Sequence, residues 1–177
     1  VSTSLIDAPI VLPHFFTDEE CAAVIACLDA YAQTGQHLTK KGDGHRTLVL
    51  NPRNKDLKPL LTKILTKLRE VTGDKLFISD VNPGIHRTPF KGIEPHLDTI
   101  GGAWYTCSAT CYVNDDFTGG EIFFPDHGIT HAPRKGDLVI FSPTTMHGVN
   151  PMLSGTRYLI ALWCTTNREH AWDFMVE

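Results

Sequence analysis

Beyond residue 17 the chain opens with apolar positions at a helical interval. Val24, Ile25, Leu28 and Tyr31 recur three or four residues apart, which lines one face of an α-helix. Thr17 followed by Glu20 has the spacing of a capping box. A helix is therefore predicted to start at Thr17 and to end near Gly35. A second stripe, formed by Leu57, Leu60, Leu61, Ile64, Leu65 and Leu68, predicts a helix over 56–72 closed by Gly73. Both stripes read as core-facing and carry no catalytic group.

After Gly73 the period shortens. Apolar runs cover Lys75–Val81, His96–Asp98, Trp104–Val113, Glu121–Phe124, Leu138–Phe141, Met146–Val149 and Arg157–Cys164, each bounded by Gly, Pro, Asn or Asp. Many short strands punctuated by turns predict an antiparallel sandwich or barrel. The expected fold class is mainly β with flanking helices, α+β. Two N-terminal helices brace the barrel in a single domain spanning 1–177, with helical support over about 17–73 and the β core over about 75–165. A length of 177 residues suits one core, and no repeat, low-complexity tract or linker divides it.

Composition narrows the function classes. Apolar residues make up 42% and charged residues 20%, as in a soluble globular protein. The net charge of -4 offers nucleic acid no attraction. Lys40, Lys41, Arg46 and Arg53 are scattered among Gly and Asn and read as a solvated loop. No apolar run approaches the roughly 20 residues that span a bilayer, so no membrane partner is expected. Five cysteines, an odd number without a C-x-x-C, point to buried thiols rather than a disulfide framework or zinc knuckle. A reduced, cytoplasmic protein is expected. Val1-Ser2-Thr3-Ser4 carries neither a secretory pattern nor an initiator methionine, so a trimmed amino terminus is expected.

The candidate chemistry is concentrated in His96-Leu97-Asp98 and the later His147. In a strand, residues i and i+2 share a face, so His96 and Asp98 can point inward together while Leu97 points away. A neighbouring antiparallel strand can bring His147 to the same ion. Two imidazoles and one carboxylate are the ligand set of a mononuclear non-haem Fe(II) site with open positions. A lone His-x-Asp is a weak signal; the distal histidine strengthens it. His14, His37, His45, His127, His131 and His170 read as surface or loop residues.

The flanking segments carry a stronger signal. Glu94-Pro95-His96-Leu97-Asp98, Tyr112-Val113-Asn114-Asp115, Gly119-Gly120-Glu121-Ile122-Phe123-Phe124-Pro125, Lys135 to Phe141, His147 to Pro151 and Gly155-Thr156-Arg157-Tyr158 follow one another in order. In that order they resemble the Fe(II)/2-oxoglutarate-dependent dioxygenases, and most closely the prolyl 4-hydroxylase-like branch. The resemblance covers about residues 75–164. It implies a double-stranded β-helix, or jelly roll, with helices bracing the larger sheet. It implies Fe(II) on His96, Asp98 and His147, and 2-oxoglutarate held through its far carboxylate by Arg157. A planar guanidinium matches a carboxylate with two hydrogen bonds and keeps its charge inside a barrel.

Around these, Thr110, Tyr112 and Asn114 share a face by alternation, and any of them can bond the co-substrate; Tyr112 reads equally as core. Trp163 reads as pocket wall or core. Gly119-Gly120 and Lys135-Gly136-Asp137 read as turns. Relatives often carry a co-substrate tyrosine ahead of His-x-Asp. Here 80–92 contains none, leaving Asn82 or His86 as substitutes, and the segment reads as a substrate-covering loop or a plain surface loop. The threonine that relatives place after Gly-Gly-Glu is Ile122.

The implied reaction uses O2, with ascorbate as auxiliary reductant, and converts 2-oxoglutarate to succinate while hydroxylating an unactivated C–H bond. Desaturation or cyclisation are variants of the same chemistry. Asp98 favours oxygenation over halogenation, because halogenases of this family lack the carboxylate. Nucleic-acid repair relatives carry a second arginine where this chain has Trp163, which speaks against DNA or RNA. The expected substrate is a small amino-acid-like or natural-product molecule. A prolyl residue in a peptide or protein is the alternative, and a non-catalytic metal- or ligand-binding jelly roll the contrasting class. The oligomeric state is left open.

Overall fold

The computed structural model describes residues 6–34 and 56–172, and between them the backbone of 37–39 and 45–48. Val1 to Ser4, Gly35, Lys40, Lys41 and Arg53 lie outside the described residues, as do the side chains of His37, His45 and Arg46.

The chain runs through β1 (Ile10–Leu12), α1 (Asp18–Gln33), β2 (His37–Thr39), β3 (His45–Leu48), α2 (Lys58–Thr72), β4 (Phe77–Arg87) and β5 (Ile93–His96). It continues through β6 (Cys107–Tyr112), β7 (Thr118–Gly119), β8 (Ile122–Phe124), β9 (Ile129–His131), β10 (Leu138–Phe141), β11 (His147–Val149), β12 (Met152–Ser154) and β13 (Thr156–Thr165). A seven-stranded sheet has the order β1-β10-β6-β13-β4-β3-β2, and a four-stranded sheet the order β5-β11-β8-β9. Every strand pair is antiparallel. This is the jelly-roll architecture with two bracing helices.

The capping box forms as predicted. Thr17 Oγ1 accepts from the Glu20 N–H at 3.2 Å, and the Thr17 N–H donates to Glu20 Oε2 at 2.9 Å, an arrangement that contributes about 1 kcal/mol. Glu20 also reaches Lys63 Nζ at 2.7 Å, tying α1 to α2. Helix α2 starts at Lys58, two residues later than the stripe predicts, because Pro59 is tolerated only in a first turn. Gly73 closes it in the left-handed region at φ 72°. The first helix ends at Gln33 with Thr34 as its cap.

The central strands β6 and β13 divide their side chains between two layers. Cys107, Ala109 and Cys111 of β6 and Ile160, Leu162 and Cys164 of β13 face the large core shared with Leu28, Leu61, Ile64 and Leu68 of the helices. The alternate residues Ser108, Thr110, Tyr112, Arg157, Leu159, Ala161 and Trp163 line a cavity on the other face. Burial on both faces explains why these strands read as near-continuous apolar runs.

Two sequence expectations change. Strand β4 does not stop at Val81 but runs on through Pro83-Gly84 to Arg87, so most of 80–92 is sheet and only 88–92 is connection. It pairs with β13 along its whole length, while β3 pairing stops at Gly84, one residue short of Pro83, which has no N–H to give. The strands β1, β7, β9 and β12 were not legible, since two or three residues are too few to show a period. Among the described residues no helix is long and apolar enough to cross a membrane.

Candidate metal centre and anion pocket

His96 is the last residue of β5, and His147 the first of β11, directly opposite it in register. Their ring centroids lie 4.4 Å apart. Leu97 is still extended (φ -107°, ψ 137°), so alternation carries Asp98 to the same side as His96. Asp98 itself belongs to a short 3-10 turn (Asp98–Ile100) rather than to the strand, and its N–H bonds the Pro143 carbonyl at 3.0 Å. Asp98 Oδ1 is 3.5 Å from the Nε2 atoms of both histidines, and one donor atom from each residue lies within 4.8 Å of the others.

The outer atoms of the histidines are fixed. His96 Nδ1 lies 2.8 Å from the Glu94 carbonyl and His147 Nδ1 3.0 Å from the Thr145 carbonyl. A carbonyl only accepts, so each Nδ1 carries a hydrogen and each Nε2 turns inward, where loss of its proton would free a lone pair for a metal. Burial pushes the carboxyl of Asp98 up, but bonds from His96, charge from His147 and bonds from Ser108 and Trp163 hold it below its ordinary value. The bond to Asp98 raises His96, whereas burial lowers His147. Two neutral imidazole nitrogens and one carboxylate oxygen, without thiolate, fit Fe(II).

The adjoining cavity has a volume of about 210 Å³ and contains the inner faces of all three residues together with Arg157. The Arg157 side chain is 1% exposed. Its Nη1 donates to the Gly120 carbonyl and its Nη2 to His86 Nδ1 at 2.6 Å, while its buried Nε has no partner. Among the described residues no carboxylate forms an ion pair with it. Burial lowers its affinity for the proton, opposed by Tyr112 and Glu121, yet a guanidinium stays charged. A buried cation whose hydrogen-bond partners are neutral favours an anion in the adjoining cavity.

Gly120 backs this group. It has φ 71°, and a Cβ there would lie 2.8 Å from Arg157 Nη1. The Gly119-Gly120 turn therefore also makes room for the guanidinium. Gly120→Ala is expected to displace it and to weaken binding of a dicarboxylate such as 2-oxoglutarate by roughly tenfold or more, about 1.4 kcal/mol. Calorimetric titration of wild type and variant checks this.

Of the other predicted residues, Asn82, His86, Thr110, Tyr112 and Trp163 line the same cavity. Asn114 does not reach it. Its amide N–H groups go to Asp116 Oδ1 at 2.5 Å and the Thr156 carbonyl at 2.7 Å, and its Oδ1 accepts from the Tyr158 N–H at 2.7 Å. It laces the end of β6 to β13, and the expectation of a co-substrate contact is corrected. His86 lies at the guanidinium, stacked on Phe90 at 4.3 Å. His131 is no plain loop residue, since its Nε2 lies 2.8 Å from Asp137 Oδ2. His170 stacks on Trp104 at 4.2 Å, and His127 is exposed. Sequence reasoning missed Ser108, whose Oγ lies 2.7 Å from Asp98 Oδ2. The signal available was its place on the face shared by Thr110 and Tyr112.

Residues 83–165 match the model of the 2OG-Fe(II) oxygenase superfamily. The 2-oxoglutarate and iron-dependent oxygenase domain-containing protein 3 of Xenopus tropicalis is 36% identical over 84 residues, 44% of this chain and 26% of that protein. A PKHD-type hydroxylase of Hyphomonas neptunium is 27% identical over 106 residues, 58% of this chain and 43% of the relative. The chain thus spans less than half the length of these curated relatives. A Pseudomonas putida prolyl-4-hydroxylase structure superposes with a TM-score of 0.72 at 21% identity, over 90% of this chain and 92% of that one. At that identity the likeness concerns the fold.

Proposed function

We propose that the chain, whose residues 83–165 match the model of the 2OG-Fe(II) oxygenase superfamily, is an Fe(II)/2-oxoglutarate-dependent dioxygenase that hydroxylates an unactivated C–H bond of a small amino-acid-like or natural-product substrate. His96, Asp98 and His147 would hold the iron. Arg157 would hold the far carboxylate of 2-oxoglutarate. The observation that carries this reading is a single cavity containing both the triad and a buried guanidinium with an unpartnered Nε. A site needing only a metal would have no use for that cation.

When bound, ferrous iron supplies dioxygen activation, coupling decarboxylation of 2-oxoglutarate to succinate with oxidation of the substrate. The chain's own residues bind, orient and exclude water. Arg157 matches a carboxylate with parallel N–H donors. Thr110 and Tyr112 line the same cavity, and burial pushes the Tyr112 phenol up to about 12, so it remains a donor at neutral pH. Ile122, Phe141 and Leu159 form an apolar wall that limits water around the diacid. The Glu94 and Thr145 carbonyls keep both imidazoles in the tautomer that offers Nε2 inward.

A peptidyl proline is the second reading, favoured by relatives named as hydroxylases of the PKHD and prolyl types. The test is succinate release from 2-oxoglutarate with Fe(II) and ascorbate, alone and with free amino acids and proline-containing peptides, with products read by mass. Succinate formation that rises with one substrate class, together with a gain of one oxygen, is expected. Wild-type protein that forms no succinate and does not bind 2-oxoglutarate would instead identify a non-catalytic binding module.

A further inference from the structure

We propose that Ser108 is a positioning residue that presents Asp98 to the metal through one oxygen only. The proposal rests on the metal reading above and concerns a residue outside the ligand set. Asp98 is 8% exposed and Ser108 1% exposed, so the bond between them is sheltered from water. Ser108 Oγ lies 2.7 Å from Asp98 Oδ2. A carboxylate oxygen only accepts, so the hydroxyl donates. The other oxygen, Oδ1, is the one 3.5 Å from both histidine Nε2 atoms. The two oxygens of one carboxylate are thus given different tasks by a single hydroxyl.

The fold explains why Ser108 can do this. It alternates with Thr110 and Tyr112 on the cavity face of β6. It is the register partner of Trp163 on β13, which lines the same cavity. The two histidines already have carbonyls fixing their outer nitrogens. Ser108 completes the set, so that each of the three ligand residues has its outer atom tied by a group that does not touch the ion. Without the hydroxyl, Oδ2 becomes a buried charged oxygen without a donor, and the carboxylate is free to turn away from the position in which Oδ1 meets the two Nε2 atoms.

The test uses Mn(II) alone as probe. Its affinity is measured by the disappearance of the free-ion paramagnetic resonance signal for wild type, Ser108→Ala and Ser108→Thr, and the thermal melt of each metal-free protein is recorded alongside. Ser108→Ala is expected to fold but to melt a few degrees or so below wild type, since a buried carboxylate oxygen loses its donor, and to bind Mn(II) about 10- to 100-fold more weakly, the usual cost of removing an outer partner of a metal ligand. Ser108→Thr, which keeps the hydroxyl, is expected to recover most of the affinity. A folded Ser108→Ala protein that binds Mn(II) as tightly as wild type would overturn the assignment. So would equal weakening in both variants, which would trace the effect to side-chain volume, or a Ser108→Ala protein that fails to fold and is not rescued by Mn(II). Wild-type protein without Mn(II) affinity would sink the metal reading itself, whereas tight wild-type binding with an unaffected Ser108→Ala removes Ser108 alone.

Discussion

Arg157→Met is expected to melt at or above the wild-type temperature in the absence of ligand while losing most affinity for 2-oxoglutarate. The two halves of this prediction have one cause. The guanidinium is 1% exposed and its hydrogen-bonded partners, the Gly120 carbonyl and the His86 ring, are neutral. Its desolvation is therefore poorly offset in the ligand-free chain. An apolar side chain of similar length removes that cost, as replacement of buried charges often does. A bound dicarboxylate loses the buried guanidinium that lines the cavity, which costs about 2–5 kcal/mol, or roughly 30- to several-thousand-fold in affinity. Differential scanning calorimetry and a 2-oxoglutarate titration check the two halves separately. A variant with unchanged 2-oxoglutarate affinity would remove Arg157 from the site. A variant that merely unfolds would show that the arginine serves packing instead.

His147→Ala is expected to abolish succinate formation and to weaken Mn(II) or Fe(II) binding by more than the roughly 10–100-fold that loss of an outer partner brings. His147 is 5% exposed and packs against Phe141, with centroids 4.5 Å apart. The substitution therefore also opens a small gap behind the site, and its melting temperature should fall modestly. Metal affinity and turnover, measured on protein shown to be folded, separate the two effects. Retained metal binding would contradict the ligand assignment even if activity were lost.

The convergence of His96, Asp98 and His147 is legible in the sequence because its pieces are local or repeat a simple rule. His96 and Asp98 are two residues apart on an extended segment, and Leu97 keeps that geometry even though Asp98 has already left the strand. The helices were legible because the stripe from Leu57 to Leu68 spans several turns and Gly73 ends it. What escaped depends on pairing between distant segments. The Pro-Gly pair in β4 looks like a loop until β13 is seen to pair along all of it. Asn114 alternates correctly with Tyr112 but is captured by the backbone of β13. His86 could not be told from Asn82 until register placed it opposite Arg157. Ser108 carries no motif at all, and only the fold brings its hydroxyl to Asp98.

In the proposed function, one cavity binds a metal through His96, Asp98 and His147 and a diacid through both that metal and Arg157. Equilibrium binding of 2-oxoglutarate, measured anaerobically with and without Mn(II) on wild type, His147→Ala and Arg157→Met, tests this most directly. Tight binding is predicted only when metal, His147 and Arg157 are all present. Equal 2-oxoglutarate affinity with and without metal, or in all three proteins, would contradict it.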